Sequence, residues 1–335
     1  MTTYKLSEIS DGQAITFDPA NDVLDFDVAG VSAADPELFL FIGSSGTFSA
    51  GGKTFDVTLP GALAALTTSN VLFRDGSKLI IGDNTTSFGF GNGLFDDAAN
   101  TLVGGAGNDY LAGLGGDDLL QGKGGDDYMP LSVAQFNFGH DTVSGGTGRD
   151  TVAIGRNPAI PGGATIDLAA GTVVSDYGSA ELTGIESAFG SPNADRLIGS
   201  ATRNHLDGYQ GNDTIGGAAG ADTLTGGAGR DTFVFDAPAE SGVDRITDFR
   251  HGRDHISLDD DVFAALGPVS AKTALAPENL CLGSDALDAD DFLIYDQASG
   301  ALYYDADGDG AGSKICFATL KGHPVLDAGD FQVVG

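Results

Sequence analysis

Aspartates spaced nine residues apart are the residues of this chain that can do chemistry. In the stretch GGAGNDYLAGLGGDDLLQGKGGDDYM, residues 104–129, they are Asp109, Asp118 and Asp127. Each follows glycines and is itself followed, two residues later, by an apolar residue. The same phase recurs at Asn100, Asp141, Asp150, Asp195, Asn204, Asp213, Asp222 and Asp231. A solvated glycine-rich linker is the alternative, but a linker has no reason to keep both an acidic and an apolar period.

Each repeat has two halves with different physical roles. The first six residues form a turn, in which glycine allows positive φ angles or lets backbone carbonyls converge. The last three form a short strand whose central apolar side chain points inward. Two repeats make one turn of a coil, and successive coils stack by strand pairing about 4.8 Å apart. Partners along one edge are then two repeats apart, so that Asp109 faces Asp127. In the later run, Asp195 faces Asp213 and then Asp231.

Stacked turns of this kind predict cation sites along the edges of the coil. Carbonyl and carboxylate oxygens of neighbouring turns surround a hard cation, and six to eight flexible oxygen ligands at about 2.3–2.6 Å suit Ca²⁺ better than Mg²⁺. In this interpretation the aspartates supply carboxylates, Asn100 and Asn204 supply neutral oxygens, and glycine carbonyls complete the shells. The other candidate ligands are Gly105, Gly107, Gly116, Gly125, Gly146, Gly148, Gly211, Gly220, Gly227, Gly229 and Asp248.

The repeat Gly-Gly-x-Gly-x-Asp-x-apolar resembles the RTX family of secreted calcium-binding β-roll proteins. Units 104–112, 145–153 and 226–234 carry it in full. In degenerate units, other residues replace the expected glycines or fillers: Leu114, Lys123, Tyr209, Ala218 and Ala219. The resemblance implies an all-β fold, a parallel calcium-bound β-roll with a small N-terminal β domain and a C-terminal β cap. It also implies several Ca²⁺ ions as the cofactor.

The composition is that of an acidic, turn-rich chain. Glycine accounts for 52 of the 335 residues, and the net charge is −32. Only six of the 48 acidic residues are glutamates, which favours turn and ligand roles for the short aspartate over general solubility. A halophile-like solvated surface is the alternative. Such charge disfavours nucleic acid and anionic membranes as partners. It also predicts that calcium binding is part of folding, because the metal-free chain repels itself.

The pattern divides the chain into three regions. Residues 1–90 alternate as a small β domain of unknown role. Residues 91–236 form the β-roll, with a non-repeat insert at about 154–191 that we expect to continue the same stack as wider rungs. Residues 237–335 form a cap that covers the last strand edge and contains the secretion-signal region.

Shorter motifs in the N-terminal region give local predictions. Residues 70–81 are interpreted as a hairpin around Asp75-Gly76, and residues 61–68 as one or two helical turns. The stretch Gly43-Ser44-Ser45-Gly46 lacks the spacing of a nucleophile elbow and is interpreted as a loop.

In the cap, Glu240 and Asp248 either complete a final calcium site or belong to an ordinary turn. His251 and His255 are interpreted as solvated loop histidines, since no third metal ligand is near them. Residues 304–310 imitate the opening of an EF-hand loop, but Cys316 stands where the twelfth-position glutamate belongs. We favour a β-turn between strands 301–304 and 314–319, with weak calcium binding as the alternative.

Export and redox state are also addressed by the sequence. The start, MTTYKLSEISDGQ, lacks the apolar core of a secretory signal, and the longest apolar run, residues 38–42, is too short to span a membrane. Residues 330–335 place an acidic residue before hydrophobic ones. With the RTX resemblance, this implies export by a type I secretion machinery to the exterior or cell surface of a Gram-negative bacterium. Cys281 and Cys316 form one disulfide or two reduced thiols.

The favoured function is a secreted, non-catalytic calcium-binding protein that folds on binding extracellular Ca²⁺ and has a surface-layer, matrix or adhesion role. Its expected partners are calcium, the secretion machinery, and further copies of itself or a cell-surface polysaccharide. No nucleic acid binding and no membrane insertion are expected.

The main alternative is an RTX-linked extracellular enzyme or its accessory module, polysaccharide-active or hydrolytic. Against it, the chain has no His-Glu-x-x-His and no Gly-x-Ser-x-Gly, although a carboxylate-based glycosidase leaves no such motif. A toxin or pore-former is disfavoured, because the chain has no long apolar or amphipathic helical segment.

Overall fold

The computed structural model describes residues 1–18, 20–29, 31–34, 39–42, 45–58, 71–81, 98–131, 137–155, 162–238 and 241–335. These residues form no α-helix; their regular elements are strands and short 3₁₀ turns at Ala264–Leu266, Pro277–Asn279 and Ala328–Asp330. The chain divides into two compact units. The first comprises Met1–Ala159 with Gly171–Ile185, and the second comprises Ile160–Ala170 with Glu186–Gly335.

The strands are short, as the three-residue strand half of each repeat predicts. The N-terminal region contains β1 (Thr3–Lys5), β2 (Gln13–Thr16), β3 (Val23–Phe26), β4 (Phe39–Ile42), β5 (Ser45–Ala50), β6 (Lys53–Thr58), β7 (Val71–Phe73) and β8 (Leu79–Ile81). The first repeats and the insert contain β9 (Thr101–Val103), β10 (Tyr110–Ala112), β11 (Leu119–Gly124), β12 (Tyr128–Pro130), β13 (Gly139–Thr147), β14 (Thr151–Ala153), β15 (Ala164–Asp167), β16 (Thr172–Ser175) and β17 (Gly178–Thr183).

The later repeats contain β18 (Ser187–Phe189), β19 (Arg196–Ile198), β20 (His205–Asp207), β21 (Thr214–Gly216), β22 (Thr223–Thr225) and β23 (Thr232–Phe235). The cap region contains β24 (Asp244–Ile246), β25 (His255–Asp259), β26 (Thr273–Ala274), β27 (Leu280–Leu282), β28 (Leu293–Asp296), β29 (Ala301–Tyr304), β30 (Ile315–Leu320) and β31 (Phe331–Val334).

In the first unit, consecutive repeats alternate between two stacks of strands. One stack has the order β14-β12-β10-β8 and the other β16-β17-β13-β11-β9. Neighbours are parallel except β16, which runs antiparallel to β17. Two further sheets, of order β1-β3-β7 and β2-β6-β5-β4, precede them. The insert strand β17 pairs in parallel with β13, so this part of the insert extends the stack as predicted.

The second unit repeats the same arrangement with greater regularity. Its sheets have the orders β27-β28-β29-β30-β24-β22-β20-β18 and β26-β31-β25-β23-β21-β19-β15. The residues that pair across β19, β21 and β23 are Arg196, Thr214 and Thr232. They are 18 residues apart, so one coil takes two repeats, as predicted. The insert strand β15 pairs in parallel with β19 and extends this stack too.

The repeats before the insert at about 154–191 are called the first roll and those after it the second roll. A column of single apolar side chains fills each roll. The residues two positions after the repeat aspartates and asparagines are all buried: Leu102, Leu111, Leu120, Met129, Val143, Val152, Leu197, Leu206, Ile215, Leu224 and Phe233. This confirms the inward direction that the apolar period predicts. Burial of such side chains stabilises each coil by roughly 1.5–3 kcal/mol per residue, and it holds the turns at the edges in register.

The predicted hairpin at residues 70–81 is wrong. Strand β7 pairs in parallel with β3, whereas β8 pairs in parallel with β10. Asp75 and Gly76 instead form a corner at which the chain passes from one sheet to the next. Two apolar runs around a turn look the same in both arrangements, so local sequence does not identify the pairing partner.

Several other predictions can be compared with the fold. The turn predicted in the cap connects the antiparallel strands β29 and β30, which is confirmed. Residues 61–68 and residues 43 and 44 lie outside the described residues. The predicted loop at 43–46 is wrong for Ser45 and Gly46, which begin strand β5 and pair with β4 and β6. The three-part division of the chain stays a prediction. None of the described residues belongs to a helix with the length and hydropathy that a membrane crossing needs.

Candidate calcium sites in the turns of the rolls

The repeat aspartates are buried and form hydrogen-bonded ladders along the edges of the rolls. Asp109 donates its backbone N–H to Oδ1 of Asp127 at 2.7 Å, and Asp127 donates to Asp150 at 2.9 Å. In the second unit Asp195 donates to Asp213 at 2.8 Å, and Asp213 donates to Asp231 at 3.1 Å. The structure therefore brings together the pairs that are two repeats apart, as the sequence analysis expects.

The same hydrogen bond, from a backbone N–H to a side-chain oxygen of the next coil, connects the coils along the other edge of each roll. Asn100 donates to Asp118 and Asp118 to Asp141, while Asn204 donates to Asp222. In each carboxylate, one oxygen thus accepts a hydrogen bond from the coil before it, which holds the carboxylate at a fixed position. The second oxygen, Oδ2, is available to another partner. The turns differ in whether a hydrogen-bond donor reaches this atom.

In one class of turn, which we call closed, the second residue of the turn supplies that partner. The Gly105 N–H donates to Oδ2 of Asp109, and the Ser191 N–H donates to Oδ2 of Asp195 at 2.5 Å. Ser200 likewise donates to Oδ1 of Asn204 at 2.6 Å. These turns span residues 104–109, 190–195 and 199–204. Their oxygens are already hydrogen-bonded within the turn.

In the other class, which we call open, the second residue has a positive φ and its N–H does not reach the carboxylate. These turns span residues 122–127, 208–213 and 217–222, and their second residues are Lys123, Tyr209 and Ala218, with φ of 82°, 68° and 62°. Among the described residues, the buried Oδ2 atoms of Asp127, Asp213 and Asp222 have no hydrogen-bond partner. The open turns therefore present buried oxygens that a cation can satisfy.

The pKa values of these carboxyl groups reflect their burial. Burial raises the pKa of Asp127 to about 7 and that of Asp213 to about 8, and neighbouring carboxylates add to the rise. Burial also raises the pKa of Asp141 to about 8. A buried charge without a counter-charge is costly, so these groups must hold a proton or bind a cation near neutral pH.

The first glycine of each repeat, which the sequence analysis did not include, shapes the site. A Cβ at Gly122 would lie 2.0 Å from Asp127 Oδ2 and 2.6 Å from the Gly145 carbonyl oxygen. A Cβ at Gly208 would likewise lie 2.3 Å from Asp213 Oδ2 and 2.8 Å from the Gly226 carbonyl oxygen. Carboxylate and carbonyl thus converge where only glycine leaves room.

The fourth glycine is needed for a second close approach. A Cβ at Gly229 would lie 1.4 Å from the Gly211 carbonyl oxygen, and one at Gly148 would lie 2.1 Å from that of Gly125. The same contact recurs between Gly107 and Gly125. The carbonyls of successive turns therefore form columns beside the carboxylates.

The remaining glycines of the predicted set lie in these turns. Gly146 and Gly227 occupy the second position, and their Cβ atoms would meet the carbonyls of Lys123 and Tyr209. The carbonyl oxygens of Gly116 and Gly220 face Gly139 and Gly242.

Two further aspartates, Asp244 and Asp254, belong to the ladders but were not among the predicted ligands. Asp222 donates its backbone N–H to Asp244 at 3.0 Å, and Asp231 donates to Asp254 at 3.1 Å. They follow their partners by 22 and 23 residues rather than 18, so the nine-residue phase misses them. The signature of aspartate followed by an apolar residue two positions later is still present, with Ile246 and Ile256.

Asp248 has a different surrounding from the repeat aspartates. Its Oδ1 and Oδ2 accept the N–H groups of Gly226 and Gly227 at 2.9 and 2.7 Å. Glu240, its partner in the predicted final site, lies outside the described residues. The assignment of Asp248 as a ligand stays a prediction.

The chemistry of the open turns fits Ca²⁺. The site offers only oxygen atoms, from carboxylates and from carbonyls of neighbouring coils, which are the ligands that this hard cation prefers. Asp127, Asp213 and Asp222 would hold it, together with carbonyls of their turns. Bound calcium supplies the positive charge that these buried carboxylates require and links adjacent coils.

Basic side chains meet the turns at two places. Lys78 donates its backbone N–H to Asp109 Oδ1 at 2.6 Å and its ammonium to the Gly104 carbonyl oxygen at 3.0 Å. In the second unit, Arg250 contacts Asp231 and Asp254.

The prediction of solvated loop histidines is wrong for His255, which is half-buried and begins strand β25, whereas His251 lies in an exposed turn as predicted. The ring of His251 is exposed, but Nδ1 lies 2.8 Å from Oδ2 of the buried Asp330. The hydrogen bond to Asp330 and the charge of that carboxylate raise the pKa of His251. Cys281 and Cys316 are free thiols, and burial raises the pKa of each.

A comparison with protein-family models agrees with the repeat geometry. A family model described as RTX calcium-binding nonapeptide repeat (4 copies) matches residues 96–129, 137–153, 189–224 and 217–237. A comparison with curated proteins found no match. Among solved structures, the chain is similar to the crystal structure of extracellular lipase LipA from Serratia marcescens, with 16% identity and a TM-score of 0.23. The match covers 79% of this chain and 44% of that chain, so this chain spans less than half of the lipase. The chain therefore carries RTX calcium-binding nonapeptide repeats, and these repeats form a parallel β-roll.

Proposed function

We propose that this protein is a secreted, non-catalytic RTX protein whose rolls fold on binding extracellular Ca²⁺ and then serve a structural role. Surface layers, matrix and adhesion are roles of this kind. The observation that most supports it is the set of buried Oδ2 atoms of Asp127, Asp213 and Asp222, which have no hydrogen-bond partner among the described residues. Near neutral pH such groups must either hold a proton or bind a cation, and calcium supplies the cation.

The net charge of −32 supports the coupling between calcium and folding. Without cations, the stacked carboxylates of each edge repel one another and oppose compaction. Calcium binding removes that repulsion and orders the turns, so the free energy of binding becomes free energy of folding. A chain of this kind is loose where calcium is scarce and rigid where calcium is millimolar.

The structural role is proposed together with its partners. Export by a type I secretion machinery delivers the unfolded chain to a calcium-rich exterior. There the rigid roll presents its surfaces to further copies of itself or to a cell-surface polysaccharide. Its charge disfavours nucleic acids and anionic membranes as partners.

The experiment titrates calcium from chelated to about 10 mM, a range that brackets extracellular-type sites. Far-UV circular dichroism and light scattering after size exclusion report fold and size together. We expect compaction with a gain of β signal, and no such change with magnesium at the same concentrations. Growth into large particles at the same step would support self-assembly. A chain that is fully folded in chelator and gains nothing from calcium would refute the coupling.

A further inference from the structure

Arg250 places its guanidinium among predicted calcium ligands. Its Nη2 donates to the carbonyl oxygen of Gly227, to that of Gly229 at 3.2 Å, and to Asp231 Oδ2 at 3.3 Å. These three residues are the second, fourth and sixth positions of the repeat unit 226–234. One positively charged group thus contacts the same atoms that the repeat pattern assigns to a cation.

The turn at residues 226–231 has the backbone of an open turn. Its second residue, Gly227, has a φ of 85°, within a few degrees of the 82° of Lys123 in the open turn 122–127. In the open turns, Oδ2 of the aspartate has no hydrogen-bond partner among the described residues. In this turn the corresponding atom, Oδ2 of Asp231, contacts the Arg250 guanidinium instead. Apart from the hydrogen bonds that Asp248 accepts from Gly226 and Gly227, this turn differs from the open turns in having the Arg250 guanidinium as an occupant.

The buried carboxylates around this turn require a positively charged occupant. Asp231 and Asp254 are buried, with side-chain exposures of 0% and 1%, and Arg250 lies within 3.4 Å of both carboxylates. Burial raises the pKa of Asp231, while the positive charge of Arg250 opposes that rise. Because arginine stays protonated at all relevant pH values, it is a permanent counter-charge.

The position of Arg250 in the chain explains how it reaches the site. Residues 249–254 form a degenerate turn, in which Asp254 takes the sixth position and accepts the Asp231 N–H. Arg250 takes the second position, and its own N–H donates to Asp254 Oδ2 at 2.8 Å. Its backbone therefore closes its own turn, while its side chain enters the turn one coil earlier.

We propose that Arg250 is a built-in cation that occupies the last calcium-type turn of the second roll and keeps Ca²⁺ out of it. The inference rests on the proposed calcium binding of the open turns. The proposal means that this turn is ordered without calcium. Counting calcium ions from the number of repeats therefore gives one ion too many at this turn. The folded cap then has one turn already satisfied, on which calcium-dependent coils can form.

The test compares the variant Arg250→Gln with the natural chain and with Arg253→Gln. Arg253 is exposed three residues away and has no side-chain ion pair among the described residues. Bound calcium is counted by equilibrium dialysis against calcium chloride, and thermal unfolding is followed in chelator and in calcium. We expect Arg250→Gln to bind one more equivalent of calcium than the natural chain. We also expect it to have a lower Tm in chelator and to recover most of that loss in calcium. Arg253→Gln should match the natural chain in all three respects.

Other outcomes overturn the inference. If Arg250→Gln binds the same number of calcium ions as the natural chain, the inference is overturned, even when its Tm in chelator is lower. Arg250 is then an ordinary ion-pair partner. If Arg250→Gln does not fold, Arg250→Lys provides the second measurement. Its retained charge should keep the natural stoichiometry, and an additional equivalent would contradict the proposal. Failure of the proposed function is separate: it appears as a natural chain that binds no calcium, whatever the variants do.

Discussion

Two aspartate-rich regions of the molecule, the rolls and the cap loop at residues 305–309, use their carboxylates differently. In the rolls every repeat carboxylate accepts the N–H of a residue one coil earlier, as Asp213 does from Asp195 at 2.8 Å. In the cap loop the carboxylates accept local N–H groups: Asp305 from Asp307 at 3.4 Å, and Asp307 from Gly312 at 3.0 Å. The rolls thus fix their carboxylates between coils, whereas the loop does not.

The rolls and the cap loop also differ in the basic side chains near their carboxylates. The rim of the cap loop carries Lys314, whose ammonium lies 2.8 Å from Asp285 Oδ1. Asp127 and Asp213 have no ion pair with a basic side chain in the part of the chain that the structure describes. The comparison shows that acidic density alone does not define a calcium site. Asp305 of the cap loop is buried as well, so it is the repeated backbone support between coils that distinguishes the rolls.

The largest expected effect separates these regions directly. Asp213→Ala removes a fixed carboxylate and leaves the buried N–H of Asp195 without its acceptor, a loss of about 1–3 kcal/mol. We expect the calcium midpoint for folding to rise about tenfold or more, since even groups outside the ligand set cost about 10–100-fold in metal affinity. Calcium titration followed by circular dichroism measures it.

The matched change is Asp305→Ala in the cap loop, for which we expect a shift of less than about threefold. Equal shifts in both variants would remove the distinction between rolls and loop and would sink the assignment of the second roll as a main metal site.

The second prediction tests the space around the carboxylate. In Gly208→Ala the new Cβ would meet both Asp213 Oδ2 and the Gly226 carbonyl oxygen, at 2.3 and 2.8 Å. Since the carbonyl belongs to backbone, we expect a loss of about 1–3 kcal/mol in the free energy of unfolding, and weaker calcium binding.

Gly283→Ala is the control in the acidic cap region, because its Cβ would have no neighbour closer than 3.9 Å. Urea unfolding in calcium measures both variants. A Gly208→Ala variant as stable as Gly283→Ala would show that the turn is not as tight as described.

The third prediction uses pH. The pKa values of Asp127 and Asp213 are raised to about 7 and about 8 in the fold, whereas unfolded aspartate titrates near 3.9. Between about pH 4 and pH 8 the calcium-free fold therefore binds more protons than the unfolded chain, and its stability falls as pH rises. We expect a higher Tm in chelator at pH 5 than at pH 8.

Calcium should reverse this trend, because it binds the deprotonated carboxylates. Asp213→Asn, which places there the residue that Asn204 provides naturally, should reduce the pH slope in chelator and weaken calcium binding at pH 8. A slope that is unchanged by this substitution would assign the pH dependence to other groups.

The smallest effect concerns the backbone of an open turn. Ala218 has a φ of 62°, but its neighbour Ala219 is not among the residues with positive φ. Ala218→Gly relieves a left-handed conformation that costs about 1–2 kcal/mol, less the added entropy of glycine. We expect a gain of about 0.5–1 kcal/mol. Ala219→Gly should lose about that amount, so opposite signs from adjacent alanines, measured by urea unfolding, check the assignment.

Much of the rolls could be predicted from the sequence, because one period determines both the chemistry and the packing. The nine-residue spacing gives the 18-residue coil, the buried column that includes Leu224, and the partnership of Asp109 with Asp127. Asp244 and Asp254 were missed because insertions shift them out of phase while the coil geometry is kept.

Other features depend on contacts that spacing does not contain. Positive φ angles at Lys123 and Tyr209 are not indicated by residue type, since residues with a Cβ rarely adopt them; the available signal is that both replace glycines of the repeat. The class of each turn, open or closed, follows from that angle. The contact of Arg250 with Asp231 joins residues 19 apart through a long side chain, so the repeat pattern alone gave no sign of it.

The ladder of carboxylates has a mechanical consequence. The hydrogen bonds that join the repeat aspartates of different coils connect adjacent coils, so cohesion is shared between nearest neighbours, as in other stacked repeat proteins. A pulling force along the stack should therefore detach coils one at a time from an end, each with its own rupture event. Calcium concentration would set the force of each event, and a roll of this kind would act as an extensible tether whose stiffness depends on the surrounding medium.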